Sequence, residues 1–98
     1  ADRVGFHGQS LGAYNGVLST AQRSRFKASV LIGAGLTDFG SPPEISLVNF
    51  APRVTVPTLL ISGRDDFSYP AESQVALFDL LGPPPDQKRH VVLEGGHI

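Results

Sequence analysis

The sequence has no cysteine, no marked excess of charge of either sign and no long apolar run. Without cysteine, neither disulfides nor thiolate metal sites can stabilise the fold. The 8 Lys and Arg residues against 9 Asp and Glu residues give a formal net charge of −1, which excludes nucleic-acid binding by bulk positive charge. No apolar run approaches the roughly 18 residues of a membrane span. At 41% hydrophobic and 17% charged residues, the composition is that of a globular domain.

The amino terminus lacks the features with which a complete protein usually starts. The chain begins Ala1-Asp2-Arg3, without an initiator methionine or the charged and apolar parts of a signal peptide. Its 98 residues suffice for one domain with a modest core. We therefore expect a piece of a longer protein; the sequence leaves the cellular location open, with the cytoplasm as the expectation.

Four short apolar runs predict the strands of a parallel sheet. They lie at residues 4–6, 30–32, 58–61 and 90–93. Each is too short for a helix and does not alternate with polar residues, which is typical of strands buried on both faces. The segment 34–57 is interrupted by glycine and proline, so we expect a lid or binding loop there, with a short helical turn at 45–50.

Two segments between these runs have the periodicity of helices. One spans residues 11–22, and the other follows Pro70 and ends before Gly82. The side chains expected to face the core are Tyr14, Val17, Leu18 and Ala21 in the first helix, and Ala71, Val75, Phe78 and Leu81 in the second. The alternation predicts an α/β fold, with a parallel sheet of about four strands and flanking helices.

A G-x-S-x-G motif, at residues 8–12, follows the first predicted strand and opens the first helix. In this setting Ser10 is a candidate nucleophile on a tight turn, where Gly8 and Gly12 would relieve clashes. The alternative is a glycine-rich turn in which Ser10 only caps the helix.

Candidates for an acid and a base follow in chain order. Asp65 and Asp66 come after the third predicted strand, and His97 comes after the fourth. Because the carboxyl ends of parallel strands share one edge of the sheet, a carboxylate and His97 should meet Ser10 there. Phe39, Phe67 and Tyr69 lie on loops that should border the crevice, where they would either line a pocket for the acyl or leaving group or simply pack within their loops. His90, which opens the fourth predicted strand, is interpreted as structural or solvated rather than catalytic.

These motifs resemble the α/β-hydrolase superfamily over nearly the whole chain. RVGFHGQSLGA, VPTLLISGRDDFSYP and KRHVVLEGGH stand in that family's order and spacing. The resemblance implies that residues 1–98 are the carboxyl-terminal part of one catalytic domain whose amino-terminal half is absent. The stretches NFAPRV and LFDLLGPP further resemble bacterial dienelactone hydrolases and prolyl-oligopeptidase-type peptidases, some of them fused to another domain.

The resemblance also implies roles for individual residues. Ser10 would be the nucleophile, His97 the general base and then acid, and Asp66 the residue that orients the imidazole. Asp65 would then cap the local turn. The backbone N–H of Leu11 would donate to the oxyanion, and a second donor would lie outside this sequence. Such an enzyme needs no cofactor and no metal, and its substrate would be a small ester or peptide.

Two functions of different classes stay open. The first is a serine hydrolase that cleaves an ester or amide bond through an acyl-enzyme, without nucleic-acid or membrane partners. The second is a non-catalytic α/β-hydrolase-like module that binds or regulates, because a fold does not guarantee an activity. The isolated 98-residue segment is expected to be inactive and to self-associate, since the strand at 4–6 would be an unprotected edge.

Overall fold

A four-stranded parallel sheet organises the part of the chain that the computed structural model describes, residues 4–22, 26–36 and 46–96. The strands, in the spatial order β1-β2-β3-β4, are β1 (Val4–Gln9), β2 (Phe26–Ile32), β3 (Thr58–Gly63) and β4 (Lys88–Leu93). The helices are α1 (Leu11–Gln22), α2 (Leu47–Phe50) and α3 (Ala71–Leu80), with 3-10 turns at Ala51–Arg53 and Pro85–Gln87. The predicted α/β class is confirmed. Within the described ranges, no helix is long and apolar enough to cross a membrane.

Each strand contains its predicted apolar run and extends beyond it. β1 continues to Gln9, directly before Ser10, and β2 begins at Phe26, four residues before the predicted run. The pairing of β1 with β2 runs from Val4 opposite Phe26 to Gln9 opposite Ile32. Sheet pairing is made by backbone groups, whereas an apolar run reports only where side chains are buried. The runs therefore located the strands but not their ends.

Helix α1 covers one face of the sheet over its predicted residues. Its fully buried positions are Ala13, Gly16, Val17 and Thr20, and the predicted Tyr14, Leu18 and Ala21 border this row. A Cβ on Gly16 would overlap the side chains of Phe6 and Leu31. Small residues at 13 and 16 thus let the helix approach the sheet closely. The most deeply buried side of α1 therefore lies nearer to these two positions than to the predicted row.

Helix α3 buries a different face from the predicted one. Gln74 and Leu77 are buried, as is Leu81 directly after the helix, whereas Ala71 and Val75 are exposed. The predicted row was wrong at these two positions because a buried polar residue, Gln74, belongs to the core-facing side. A search for apolar periodicity cannot identify a buried polar residue.

The carboxyl-terminal part of the segment 34–57 belongs to the core. Leu47, Ala51 and Val54 are each no more than 1% exposed, and α2 and the following turn contact α1. The prediction of a lid is wrong for these residues, since withdrawing them would expose core side chains. The predicted short helical turn is present from Leu47, and residues 37–45 lie outside the described residues.

Candidate active site

Ser10 forms the turn between β1 and α1 in a strained backbone conformation. Its φ of 58° is the only positive φ of a non-glycine residue within the described ranges. Such a conformation costs about 1–3 kcal/mol and persists only where the surroundings impose it. The N–H of Ser10 donates to the carbonyl of Ile32 (2.7 Å), and its own carbonyl accepts the N–H groups of Ala13 (2.9 Å) and Tyr14 (3.1 Å). A serine that only caps a helix has an extended backbone, so this conformation argues against the capping alternative.

Gly8 and Gly12 have different steric surroundings. A Cβ on Gly8 would overlap the carbonyl oxygen of Gly12 and lie 2.6 Å from its carbonyl carbon. A Cβ on Gly12 would meet no described atom within 4 Å. The end of β1 and the start of α1 therefore touch backbone to backbone at Gly8. The expectation that Gly12 also relieves a clash is wrong for the described residues, because its Cβ position faces open space.

This difference predicts opposite outcomes for two alanine substitutions. Gly8→Ala should lower the free energy of unfolding by about 3 kcal/mol, because the backbone of α1 cannot move away without disturbing the turn. Gly12→Ala should change it by less than about 1 kcal/mol, since alanine favours the helix and meets no neighbour. Urea denaturation of the intact protein, followed by circular dichroism, measures both. Equal stabilities of the two variants would contradict the backbone contact at Gly8.

Asp66 is a buried carboxylate that the backbone of its own loop holds in place. Its side chain is 3% exposed, and Oδ1 accepts the N–H groups of Ser68 (2.8 Å) and Tyr69 (2.9 Å). Burying a carboxylate is costly unless hydrogen bonds compensate, and these two bonds do so. Asp65 is exposed. The predicted capping of the local turn is thus performed by Asp66, so the assignment of this role to Asp65 was wrong.

The loops after β3 and β4 are tied to each other. The N–H of Arg64 donates to the carbonyl of Leu93 (2.8 Å), and the N–H of Asp65 donates to the carbonyl of Gly95 (2.8 Å). The exposed side chains of Arg64 and Glu94 add an ion pair of 3.0 Å. The pairing of β3 with β4 therefore continues past the strands, so the two loops approach as one unit.

The close approach of these loops requires glycine at position 63. A Cβ on Gly63 would overlap the carbonyl oxygen of Gly96 and lie 2.8 Å from that of Gly95. Gly96 directly precedes His97, which lies outside the described residues. The chain entering His97 thus contacts the start of the loop that carries Asp66.

Two of the predicted positions, and the residue that precedes a third, lie at one edge of the sheet. Ser10 follows β1, Asp66 lies in the loop after β3, and Gly96 follows β4. A cavity of about 150 Å³ at this edge is lined by residues 32–33, 61–63 and 93–96. The parallel order of the strands explains this convergence, since all four carboxyl ends point to the same side.

Exposed apolar side chains accompany two of these positions. Leu11, next to Ser10, is 70% exposed, and Phe67, next to Asp66, is 88% exposed. Phe67 thus lies at the edge where a crevice was expected. Tyr69 is half-buried and packs against the loop after β2, where a Cβ on Gly35 would lie 3.1 Å from the Cβ of Tyr69.

His90 is a packing residue within β4. Its Nε2 lies 3.0 Å from Oγ of Ser62, and its ring stacks on Phe78 of α3 with 5.6 Å between centroids. Burial lowers the pKa of His90, which favours the neutral imidazole. The structural interpretation of this histidine agrees with these contacts.

Gln74 is the residue of this region that the sequence interpretation missed. It is 1% exposed, and its Nε2 donates to the carbonyls of Gly63 (2.9 Å) and Tyr69 (2.7 Å) at the two ends of the Asp66 loop. Its spacing from Leu77 and Leu81 could have indicated its burial, because positions 74, 77 and 81 lie on one face of a helix.

Comparison with known proteins identifies the family. No family model and no curated protein sequence matches the chain. Among solved structures, a cold-adapted esterase from an Arctic intertidal metagenomic library superposes with a TM-score of 0.82 and 32% identity, over 95% of this chain and 40% of that esterase. This chain belongs to the α/β-hydrolase superfamily.

Other α/β-hydrolases share the fold at lower identity. An esterase of Pyrococcus furiosus superposes with a TM-score of 0.81 at 17% identity, over 100% of this chain and 46% of that one. The acylaminoacyl peptidase of Pyrococcus horikoshii gives 0.73 at 21% identity, over 98% of this chain and 20% of that one. The chain thus spans about 40% of the length of the metagenomic esterase and a smaller share of the peptidase.

Proposed function

We propose that this chain carries the catalytic residues of a serine hydrolase that cleaves ester or amide bonds. The observation that carries the proposal is the conformation of Ser10, whose φ of 58° lies at a strand-to-helix turn. A nucleophilic serine on such a turn is presented at the edge of the sheet. The buried carboxylate of Asp66 and the chain leading to His97 lie at the same edge, which supports the Ser10, Asp66 and His97 triad.

In the proposed reaction, Oγ of Ser10 attacks the substrate carbonyl while His97 takes its proton. The carboxylate of Asp66 orients the imidazole and stabilises the imidazolium, and the backbone N–H of Leu11, at the start of α1, donates to the oxyanion. His97 then protonates the leaving alcohol or amine, and water hydrolyses the acyl-enzyme. None of these steps requires a cofactor or a metal.

The expected substrate is a small ester or peptide with an apolar group near the scissile bond. The exposed side chains of Leu11 and Phe67 support this expectation, because each is adjacent in sequence to a proposed catalytic residue. The narrower resemblance to dienelactone hydrolases and prolyl-oligopeptidase-type peptidases favours the same substrate classes.

Labelling with a fluorophosphonate probe tests the proposal. The intact protein is used, because a second oxyanion donor is expected outside these 98 residues and the isolated segment is expected to be inactive. Trypsin should release residues 4–23 as one peptide, which contains both Ser10 and Ser19. We expect the adduct on Ser10, with Ser19 as an internal control that stays unmodified. A folded protein without any adduct would instead support the non-catalytic binding module.

A further inference from the structure

We propose that Gln74 is a positioning residue for the carboxylate of Asp66, acting through the loop of residues 63–69. This inference rests on the proposed function, since it concerns how the acid of the triad is held. Gln74 lies on the core side of α3 and is 1% exposed, so it does not contact substrate.

The side chain of Gln74 joins the two ends of the loop. Its single amide nitrogen donates to the carbonyl of Gly63, where β3 ends, and to the carbonyl of Tyr69, directly before Pro70 and α3. An amide nitrogen has two protons, and these two bonds use both. The amide therefore fixes the separation of the two loop ends.

Tyr69 links the amide of Gln74 to the carboxylate of Asp66 through hydrogen bonds. Its carbonyl accepts from Gln74 at 2.7 Å, and its N–H donates to Oδ1 of Asp66 at 2.9 Å. A displacement of the Tyr69 peptide group would therefore also move a hydrogen-bond donor of the carboxylate. Bonds in such a chain strengthen one another in a buried environment.

Removing the amide of Gln74 should displace the carboxylate of Asp66 without removing any residue that contacts the substrate. Without the amide of Gln74, the carbonyls of Gly63 and Tyr69 lose a donor, and the loop must relax to satisfy them. A displacement of about 1 Å in a catalytic group can lower the rate by about 10²-fold. The residues on the substrate side of the loop are unchanged in such a variant. We therefore expect a lower kcat and a nearly unchanged KM.

The test compares steady-state kinetics of the intact wild type with Gln74→Met, which keeps the length of the side chain and removes both donors. We expect kcat for a short-chain ester to fall by about 10-fold to 10²-fold, with KM changed by less than about threefold. The acid limb of the kcat/KM profile should move to lower pH, because a displaced carboxylate stabilises the imidazolium of His97 less and so lowers its pKa. Gln74→Leu, which also lacks both donors and adds no charge, should behave alike and replaces Gln74→Met if that variant does not fold.

A matched control separates positioning from general loss of stability. Thr20 is also buried, and its Oγ1 donates to the carbonyl of Gly16 at 2.7 Å within α1, away from the loop. Thr20→Val should lower the melting temperature yet leave kcat and the pH profile of the intact protein unchanged. If Thr20→Val lowered kcat and shifted the pH profile as Gln74→Met does, the positioning role would be disproved.

A double-mutant cycle with Asp66→Asn distinguishes this inference from the proposed function. If Gln74 acts through Asp66, Gln74→Met should lower kcat less than about threefold further in the Asp66→Asn background. An equal factor in both backgrounds, or an unchanged kcat of Gln74→Met, would overturn the inference and leave the triad intact. An unchanged kcat of Asp66→Asn alone would overturn the proposed function, and the inference with it.

Discussion

Replacing Ser10 by alanine should lower kcat for ester hydrolysis by about 10⁶-fold, the loss that serine hydrolases show when their nucleophile is removed. The acyl-enzyme cannot form without Oγ, and only substrate binding and the oxyanion donors would still assist direct attack by water. The substitution keeps Cβ, so the backbone at φ 58° is as strained in the variant as in the wild type. Thermal denaturation should therefore give nearly the same midpoint for both proteins.

Ser19→Ala is the matched control for this experiment. Ser19 lies in α1, nine residues after Ser10, and is half-buried. Its replacement should leave kcat within about twofold of the wild type, since exchanges away from the reacting atoms rarely change a rate. Full activity of Ser10→Ala would show that another residue is the nucleophile, and the proposed mechanism would be abandoned.

The second large effect is expected from Asp66→Asn, which should lower kcat by about 10⁴-fold, as the loss of the carboxylate does in a Ser-His-Asp triad. The N–H groups of Ser68 and Tyr69 both point at Oδ1 and require an acceptor there. An asparagine must therefore place its carbonyl oxygen toward these donors and present its NH₂ group to the histidine. Two donors would then face each other, so the imidazole could not keep the required tautomer.

The adjacent aspartate provides the control for this prediction. Asp65 is exposed, and its backbone N–H donates to the carbonyl of Gly95. Asp65→Asn leaves that N–H in place and should change kcat by less than about twofold. Denaturation curves for both variants should show retained folding, because each keeps its local backbone bonds. If Asp65→Asn lost more activity than Asp66→Asn, the acid of the triad would be Asp65, and the proposed role of Asp66 would be wrong.

Local patterns were sufficient to predict the alternation of strands and helices. The α1 range, residues 11–22, and the confirmed α/β class follow from apolar runs, helical spacing and turn residues that act over a few positions. The turn at Ser10 could be expected for the same reason, since the G-x-S-x-G motif lies within five consecutive residues. The triad roles of Ser10, Asp66 and His97 stay predictions that the variants above test.

Packing over long sequence separations decided the rest. From the residues alone, Asp65 and Asp66 were equivalent carboxylates, and only the folded structure shows that Asp66 is buried and Asp65 exposed. The buried amide of Gln74 has as one of its hydrogen-bond acceptors the carbonyl of Gly63, eleven positions away.

Sequence by itself determined the class of fold, the order of its elements and the chemical types of residue at one edge of the sheet. Tertiary structure alone decided which glycine bears a close contact, which aspartate is buried and which polar side chain enters the core. The physical reason is that secondary structure depends on interactions between near neighbours in the chain, whereas burial and hydrogen-bond satisfaction depend on residues that only the fold brings together.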